Sequence, residues 1–327
     1  MKKKILVTGG AGYIGSHVLN QLKMLAEHDV TIIDNLSTGK REAILYGELV
    51  IGDVGDEAFL EKVLSSQKFE AVIHFAGSVV VPESVSNPLK YYLNNTINSF
   101  KLMNACVKHG VNKFIFSSTA AVYGSLETGV ASEETATNPE SPYGRTKLMT
   151  EWMLQDVALA HPQFNYVILR YFNVAGASLD GLIGQSTPQA THLLKVACES
   201  ATGKRAGMQI FGTDYDTKDG TCIRDFIHID DLARAHICAL NYLAQGNKSV
   251  ALNCGYGQGL TVSEMIATTK RLSGIDFKVE LAPRRAGDCA VVMSEAKKIR
   301  EVLGWVPLNN NIDVIVKSAL EWEKKLK

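Results

Sequence analysis

The stretch Lys3-Lys4-Ile5-Leu6-Val7-Thr8-Gly9-Gly10-Ala11-Gly12-Tyr13-Ile14-Gly15 decides how the rest of this chain is read. A short apolar strand breaks into Gly-x-x-Gly-x-x-Gly, and the run Ser16 to Leu22 then spaces its apolar residues three and four apart, as a helix does. Glycines let the backbone turn tightly and approach a charged ligand, and the helix that follows offers unpaired N–H groups and the positive end of its dipole. The loop therefore suits a pyrophosphate, although such glycine spacings also occur in ordinary turns. Val30-Thr31-Ile32-Ile33-Asp34 narrows the reading, because it is a second strand pattern whose terminal acid follows Gly15 by 19 residues. A carboxylate at that distance takes the adenosine ribose hydroxyls and repels the extra phosphate of NADP; the alternative is an aspartate capping a turn. The cofactor read from these residues is NAD.

The chain has 327 residues, 46% of them hydrophobic, enough to bury a large core and to form two lobes around a cleft. Lys plus Arg and Asp plus Glu both number 34, so no basic surplus attracts nucleic acid or an anionic membrane. Small molecules are the expected partners. Met1 leads almost directly into an apolar strand, and no stretch approaches the roughly 20 apolar residues that cross a bilayer, so a cytoplasmic protein is expected. The six cysteines are scattered without a Cys-x-x-Cys pair, which points to buried thiols and to no metal site.

Apolar runs suited to buried parallel strands recur at Ile5 to Thr8, Val30 to Asp34, Glu48 to Ile51, Ala71 to Phe75, Lys113 to Ser117 and Tyr166 to Arg170. Helical patterns lie between most of them, as at Glu57 to Leu64, Tyr91 to Lys108 and Thr146 to Leu159. This alternation predicts an α/β fold, a Rossmann-type doubly wound parallel sheet over 1–175. After Arg170 it loosens into Gly- and Pro-containing loops, Ala175 to Pro188 and Gly203 to Thr221, which predicts a smaller mixed α/β substrate-binding lobe over 176–224 and 249–327. The run Phe226 to Ile229 with the helical stretch Asp231 to Leu243 is expected to return about 225–248 to the large sheet.

Tyr143-Gly144-Arg145-Thr146-Lys147 places a phenol and an ammonium four residues apart, on one face of a helix. A free phenol titrates near ~10, and a cation beside it favours the phenolate; a lowering of about three units corresponds to about 4 kcal/mol. The same spacing is common in amphipathic helices, so context decides. Pro142 marks a helix start, and Phe114-Ile115-Phe116-Ser117-Ser118-Thr119 is a strand ending in hydroxyls, at the end where doubly wound sheets bind ligands. Thr119 reads either as a turn hydroxyl or as a partner of Tyr143.

With these residues assembled, the chain resembles the extended short-chain dehydrogenase/reductase superfamily. Further segments, Asp34-Asn35-Leu36-Ser37, His74-Phe75-Ala76-Gly77, Tyr91-Tyr92-Leu93-Asn94-Asn95, Arg170-Tyr171-Phe172-Asn173 and Asp219 to His228, are similar to the UDP-glucose 4-epimerase family along nearly the whole chain. The resemblance implies reversible epimerisation at C4 of a UDP-hexose by a tightly held NAD. Tyr143 would take the proton of the 4-hydroxyl, assisted by Thr119, while the C4 hydride passes to NAD; the 4-keto sugar would then turn over and be reduced on its other face. Lys147 would hold the nicotinamide ribose and tune Tyr143. The same resemblance implies that Gly9, Gly12, Tyr13, Ile14, Gly15, Asp34, Asn35, Ser37, Asp53, Val54, Phe75, Ala76, Gly77, Asn94 and Phe172 contact the cofactor, Asp53 and Val54 at the adenine. Asn173, Arg224 and Arg285 would hold the substrate diphosphate, Asp288 the uridine ribose, and His192, Leu193, Gln209 and Phe211 the uracil region. A guanidinium fork suits phosphate oxygens, whereas the plainer reading of Arg224 is an exposed ion pair with Asp225 or Asp230. A homodimer through the helices Tyr91 to Lys108 and Thr146 to Leu159 is implied as well.

Two positions depart from the family pattern. Val79 stands where many members carry a lysine near the nicotinamide, and Val292 aligns with a position where a bulky aromatic narrows the sugar pocket. A valine there implies that N-acetylated sugars also fit. The alternatives are an epimerase of a UDP-pentose or uronate, a nucleotide-sugar 4,6-dehydratase, and a non-catalytic NAD-sensing scaffold. Against the dehydratase, Thr119 is followed by Ala120 and Ala121, which move no protons.

Overall fold

In the computed structural model the described residues are 2–187, 190–285 and 288–326. Met1, Lys327 and Pro188, which bound the lobes and a loop expected from sequence, lie outside them. The strands are β1 (Lys3–Thr8), β2 (His28–Asp34), β3 (Glu48–Ile51), β4 (Ala71–His74), β5 (Lys113–Ser117), β6 (Val130–Ala131), β7 (Asn165–Tyr171), β8 (Asn173–Ala175), β9 (Met208–Phe211), β10 (Ile223–His228), β11 (Val250–Cys254), β12 (Gly259–Thr261), β13 (Val279–Ala282) and β14 (Val291–Ser294). The helices are α1 (Tyr13–Leu25), α2 (Glu57–Ser66), α3 (Val81–Ser86), α4 (Pro88–Tyr91), α5 (Asn98–Lys108), α6 (Pro142–Ala160), α7 (Leu193–Ala201), α8 (Ile229–Ala244), α9 (Val262–Ser273), α10 (Lys297–Leu303) and α11 (Ile312–Lys325). Between α4 and α5 the turn widens to a π-helix at Tyr92–Ile97.

Seven parallel strands form the large sheet in the order β11-β7-β5-β4-β1-β2-β3. Both faces are covered, which is why its strands read as continuous apolar runs. Ile5 and Val7 face a core shared with Val18, Leu19 and Leu22 of α1 and with α8, while Leu6 faces the opposite core with Leu60 of α2 and Leu102 of α5. The chain leaves β1 towards β2 on one side and reaches β4 on the other, so a crevice opens at the carboxyl ends of β1 and β4. Among the described residues no helix is long and apolar enough to cross a membrane.

The expected return of Phe226–Ile229 to the large sheet is not what occurs. Strand β10 pairs with β8, Phe226 opposite Asn173, and with β12 and β14 in a second, smaller sheet. The seventh strand of the large sheet is β11, which the sequence reading assigned to the substrate lobe. Asp225 on β10 is tied in where it lies: its buried carboxylate accepts from the N–H groups of Tyr256 and Gly257, in the turn after β11, at 2.9 Å and from Ser294 Oγ of β14 at 2.5 Å. Helix α8 packs on α1 and behind β5 and β7 of the large sheet.

Four histidines, His17, His74, His228 and His236, are buried, and desolvation pushes each below its usual range, to about 4, 3, 4 and 4 respectively. They stay neutral in the folded protein at pH values where the unfolded chain binds protons, so their contribution to stability is full above about pH 6.5 and is lost as pH falls towards 4. Urea midpoints should therefore fall steeply between pH 6.5 and 4. His236→Phe, whose ring packs 4.9 Å from that of Phe75, should flatten the slope by about 1.4 kcal/mol per pH unit; an unchanged slope would show that His236 is already charged when folded.

Candidate active site

The turn after β1 fits a dinucleotide for a steric reason. Gly9 has φ +73°, and a Cβ there would sit 2.6 Å from the Ala76 nitrogen; one at Gly15 would sit 2.3 Å from the Gly9 carbonyl oxygen. No side chain caps the start of α1 at Gly12, which leaves its first N–H groups, from Tyr13 onwards, to an anion. Asp34 closes β2 and braces this loop, its carboxylate accepting from Ala11 N at 2.9 Å and Leu36 N at 2.8 Å. Leu36 holds φ +56°, uncommon for a branched residue and a sign of a constrained site. Asn35 donates to Asp53 at 2.7 Å and accepts from Ser37 N, so the expected adenine-side residues form one bonded group; Val54 beside them is buried in the core. Phe75, Ala76 and Gly77 follow β4, with Asn94 reaching Ser78 Oγ at 2.8 Å. The residues present therefore fit the NAD read from the sequence.

Ser141 caps α6 by accepting from Gly144 N at 3.1 Å, with Pro142 in the first turn, so the helix begins where Tyr143 is needed. Tyr143 is buried near Thr119, which lies just past β5 and accepts from Ala121 N at 3.1 Å, and its ring is edge-on to that of Tyr91 at 6.5 Å. Lys147 is also buried; its ammonium donates to the Ser117 carbonyl at 3.0 Å and lies 4.9 Å from the centre of the Phe116 ring. The expected lowering of the phenol's pKa by Lys147 is not found. Burial pushes Tyr143 well above the usual phenol range, Tyr171 adds to this, and the Thr119 hydrogen bond opposes it. The same desolvation pushes Lys147 down to about 8, with Glu151 resisting. Withdrawal from water penalises both charged forms, and the ammonium is directed to a carbonyl.

The residues expected for a nucleotide sugar are spread over the smaller sheet, a separate two-stranded sheet of β9 and β13, and the start of α7. Arg224 on β10 donates to the carbonyls of Ile223 and Cys289, both at 2.9 Å, and reaches Asp288 at 3.4 Å, so its partner is neither Asp225 nor Asp230. Val292 on β14 stands opposite Arg224 and packs with Phe172 against Val122 and Tyr123. Arg285 lies 3.7 Å over the ring of Phe211, and Gln209 shares that strand. His192 precedes Leu193 at the start of α7 and bonds Gln185 at 2.6 Å. Asn173 opens β8 with its side chain exposed, and Val79 is exposed beyond β4.

Sequence reasoning missed the second rank of residues. Glu151, Arg170 and Ser118 form a buried hydrogen-bonded group, Tyr171 takes a hydrogen bond from Ser117 at 3.2 Å, and Asn95 accepts from Ser78 N at 2.7 Å. One signal was present: Glu151 extends the four-residue spacing of Tyr143 and Lys147 along the same helix. Nothing comparable marks Tyr91, whose hydroxyl is fixed by Glu83 at 2.8 Å.

Residues 5–255 match the model of the NAD dependent epimerase/dehydratase family. The chain is 53% identical over 324 residues, 99% of its length and 92% of the relative's, to the UDP-glucose 4-epimerase of Azospirillum brasilense. Among solved structures it resembles the UDP-Glc/GlcNAc 4-epimerase of Campylobacter jejuni, with 52% identity, a TM-score of 0.88 and coverage of 99% of this chain and 100% of that one. It also resembles the UDP-glucose 4-epimerase of Brucella ovis in complex with NAD, with 40% identity, a TM-score of 0.94 and coverage of 98% of each chain. The chain belongs to the NAD dependent epimerase/dehydratase family, in its UDP-glucose 4-epimerase branch.

Proposed function

We propose that this protein interconverts UDP-glucose and UDP-galactose, and the N-acetylated pair, with Tyr143 as the group that takes and returns the proton of the 4-hydroxyl. The observation that carries the reading is the buried Tyr143 phenol beside Thr119 at the carboxyl end of β5, one helical turn from Lys147, whose ammonium reaches the Ser117 carbonyl at 3.0 Å. NAD, when bound, supplies a reversible two-electron acceptor for the hydrogen on C4. Burial keeps Tyr143 protonated until positive charge is brought near it, and Lys147 retains most of its proton at neutral pH. Thr119 steadies the phenolate and relays towards the sugar hydroxyl.

Gly9, Gly12, Gly15 and the N–H groups of Tyr13 and Ile14 hold the pyrophosphate of the cofactor, Asp34 its ribose, and Asn35, Ser37, Asp53 and Val54 its adenine side. Phe75, Ala76, Gly77, Asn94, Lys147 and Phe172 lead to the nicotinamide. On the other side Arg224, Arg285 and Asn173 clamp the sugar diphosphate, Asp288 takes the uridine ribose, and His192, Leu193, Gln209 and Phe211 enclose the uracil. Arg224 suits its task because two carbonyls already fix its guanidinium, so little ordering remains on binding. In this reading the large-sheet lobe holds the cofactor, and the smaller sheet, β9 and the start of α7 hold the nucleotide sugar.

Two copies pair, in this reading, through the apolar stripe that Leu93, Ile97 and Phe100 present on successive turns, with Trp152 of α6; all four are about half exposed or more, at 53%, 46%, 55% and 51%. The thiols Cys106, Cys198, Cys222, Cys238 and Cys254, none in a disulfide, fit a reducing cytoplasm.

Tyr143→Phe should retain NAD and lose turnover of UDP-galactose by about a thousandfold or more; near-normal turnover would refute the assigned base. The purified protein should convert UDP-N-acetylglucosamine as well as UDP-glucose, and Val292→Tyr should abolish only the former. Turnover of UDP-glucose alone by the unmodified protein would sink the wider specificity. Light scattering after gel filtration should give the mass of a dimer, and the pair Leu93→Glu and Phe100→Glu that of a monomer; a monomer without substitution would remove the stripe's assignment.

A further inference from the structure

We infer that Glu151 is a positioning residue for the reaction, its carboxylate holding the end of β5, and with it Thr119, in register with Tyr143 on α6. Tyr143, Lys147 and Glu151 stand four apart and share one face of α6. Each grips a different one of three consecutive residues. Tyr143 lies beside Thr119, whose hydroxyl acts on its phenol, Lys147 Nζ donates to the Ser117 carbonyl at 3.0 Å, and Ser118 Oγ donates to Glu151 Oε1 at 2.5 Å. A slip of the strand end against the helix therefore breaks all three contacts together.

The other side of the carboxylate fixes a third element. Arg170 Nη2 donates to Glu151 Oε2 at 2.6 Å and its Nε to both oxygens at 3.1 Å. Arg170 precedes Tyr171, whose hydroxyl takes the Ser117 hydrogen bond and whose proximity bears on the Tyr143 phenol. Through Nη1, Arg170 reaches Tyr123 at 3.0 Å, and Tyr123 donates to Asn253 of β11 at 2.6 Å. Glu151 and Ser118 are wholly buried and Arg170 nearly so. A buried ion pair is a weak source of stability compared with apolar side chains of equal volume, whereas its bidentate geometry fixes angles that apolar packing leaves free. Geometry is what this location requires.

Glu151 also acts on Lys147 by charge. Facing that ammonium are Glu151 from α6, the Phe116 ring and Ser117 carbonyl from β5, and the neutral His74 from β4. Glu151 is the member of this set whose charge favours the ammonium against desolvation.

The inference rests on Tyr143 as the proton-transfer group, so Tyr143→Phe is assayed alongside. With NAD-containing enzyme and UDP-galactose, Ser118→Ala and Glu151→Gln should each lower kcat by about tenfold or more while KM changes by less than about threefold. Activity that needs the Lys147 ammonium falls as pH rises through its pKa, so Glu151→Gln should also move the alkaline limb of the kcat profile to lower pH. Ser118→Ala, which removes no charge, should leave that limb in place. Normal kcat in either folded variant, or a loss matched by an equal rise in KM, would overturn the positioning role. Should Glu151→Gln fail to fold, Ser118→Ala alone decides. An active Tyr143→Phe would refute the base itself, whereas an inactive one beside a normal Ser118→Ala would refute only the role of Glu151.

Discussion

The rest of the site depends on a contact between two backbones. The loop after β1 crosses so close to the loop after β4 that Gly9 has no room for a Cβ against Ala76, and this approach forms the floor of the crevice. A side chain at that point would separate β1 from the β4 turn and displace the start of α1, whose N–H groups must face the ligand. Asp34 ties the same loop to the end of β2, so three parallel strands present one rigid edge. The strand order places the reversal of winding at that edge, which is where a doubly wound sheet can admit a dinucleotide without unpairing anything.

On this floor the chemistry is governed by desolvation. Tyr143 and Lys147 are both withdrawn from water, and both are pushed towards their neutral forms. Burial thus favours the neutral phenol at Tyr143. The hydroxyl of Thr119 and the carboxylate of Glu151 act against the desolvation, one on each member of the pair.

The smaller sheet brings the second half of the site to the same edge by a covalent route. Chain that has just left β7 at Tyr171 turns through Phe172 into β8, and β8 pairs with β10, which carries Arg224. Strand β14 then lays Val292 beside Arg224 and against the Phe172 cluster. Residues far apart in sequence thus converge on the end of the strand that also supports Tyr171.

The sequence by itself determined the fold class and the NAD cofactor of this protein, because their determinants are local: a strand, three glycines, a helix and an acid within 34 residues. Short-range sterics and helix geometry suffice to interpret such patterns. Tertiary structure alone decided which late strand completes the large sheet. Both β10 and β11 are short and apolar, and only the fold shows that β11 pairs with β7 while β10 pairs with β8, β12 and β14. It also decided the direction of the Lys147 ammonium, the anchoring of Tyr91 and the Glu151–Arg170 pair. These depend on burial and on partners supplied by distant segments, and a pattern of residue types along one chain carries neither.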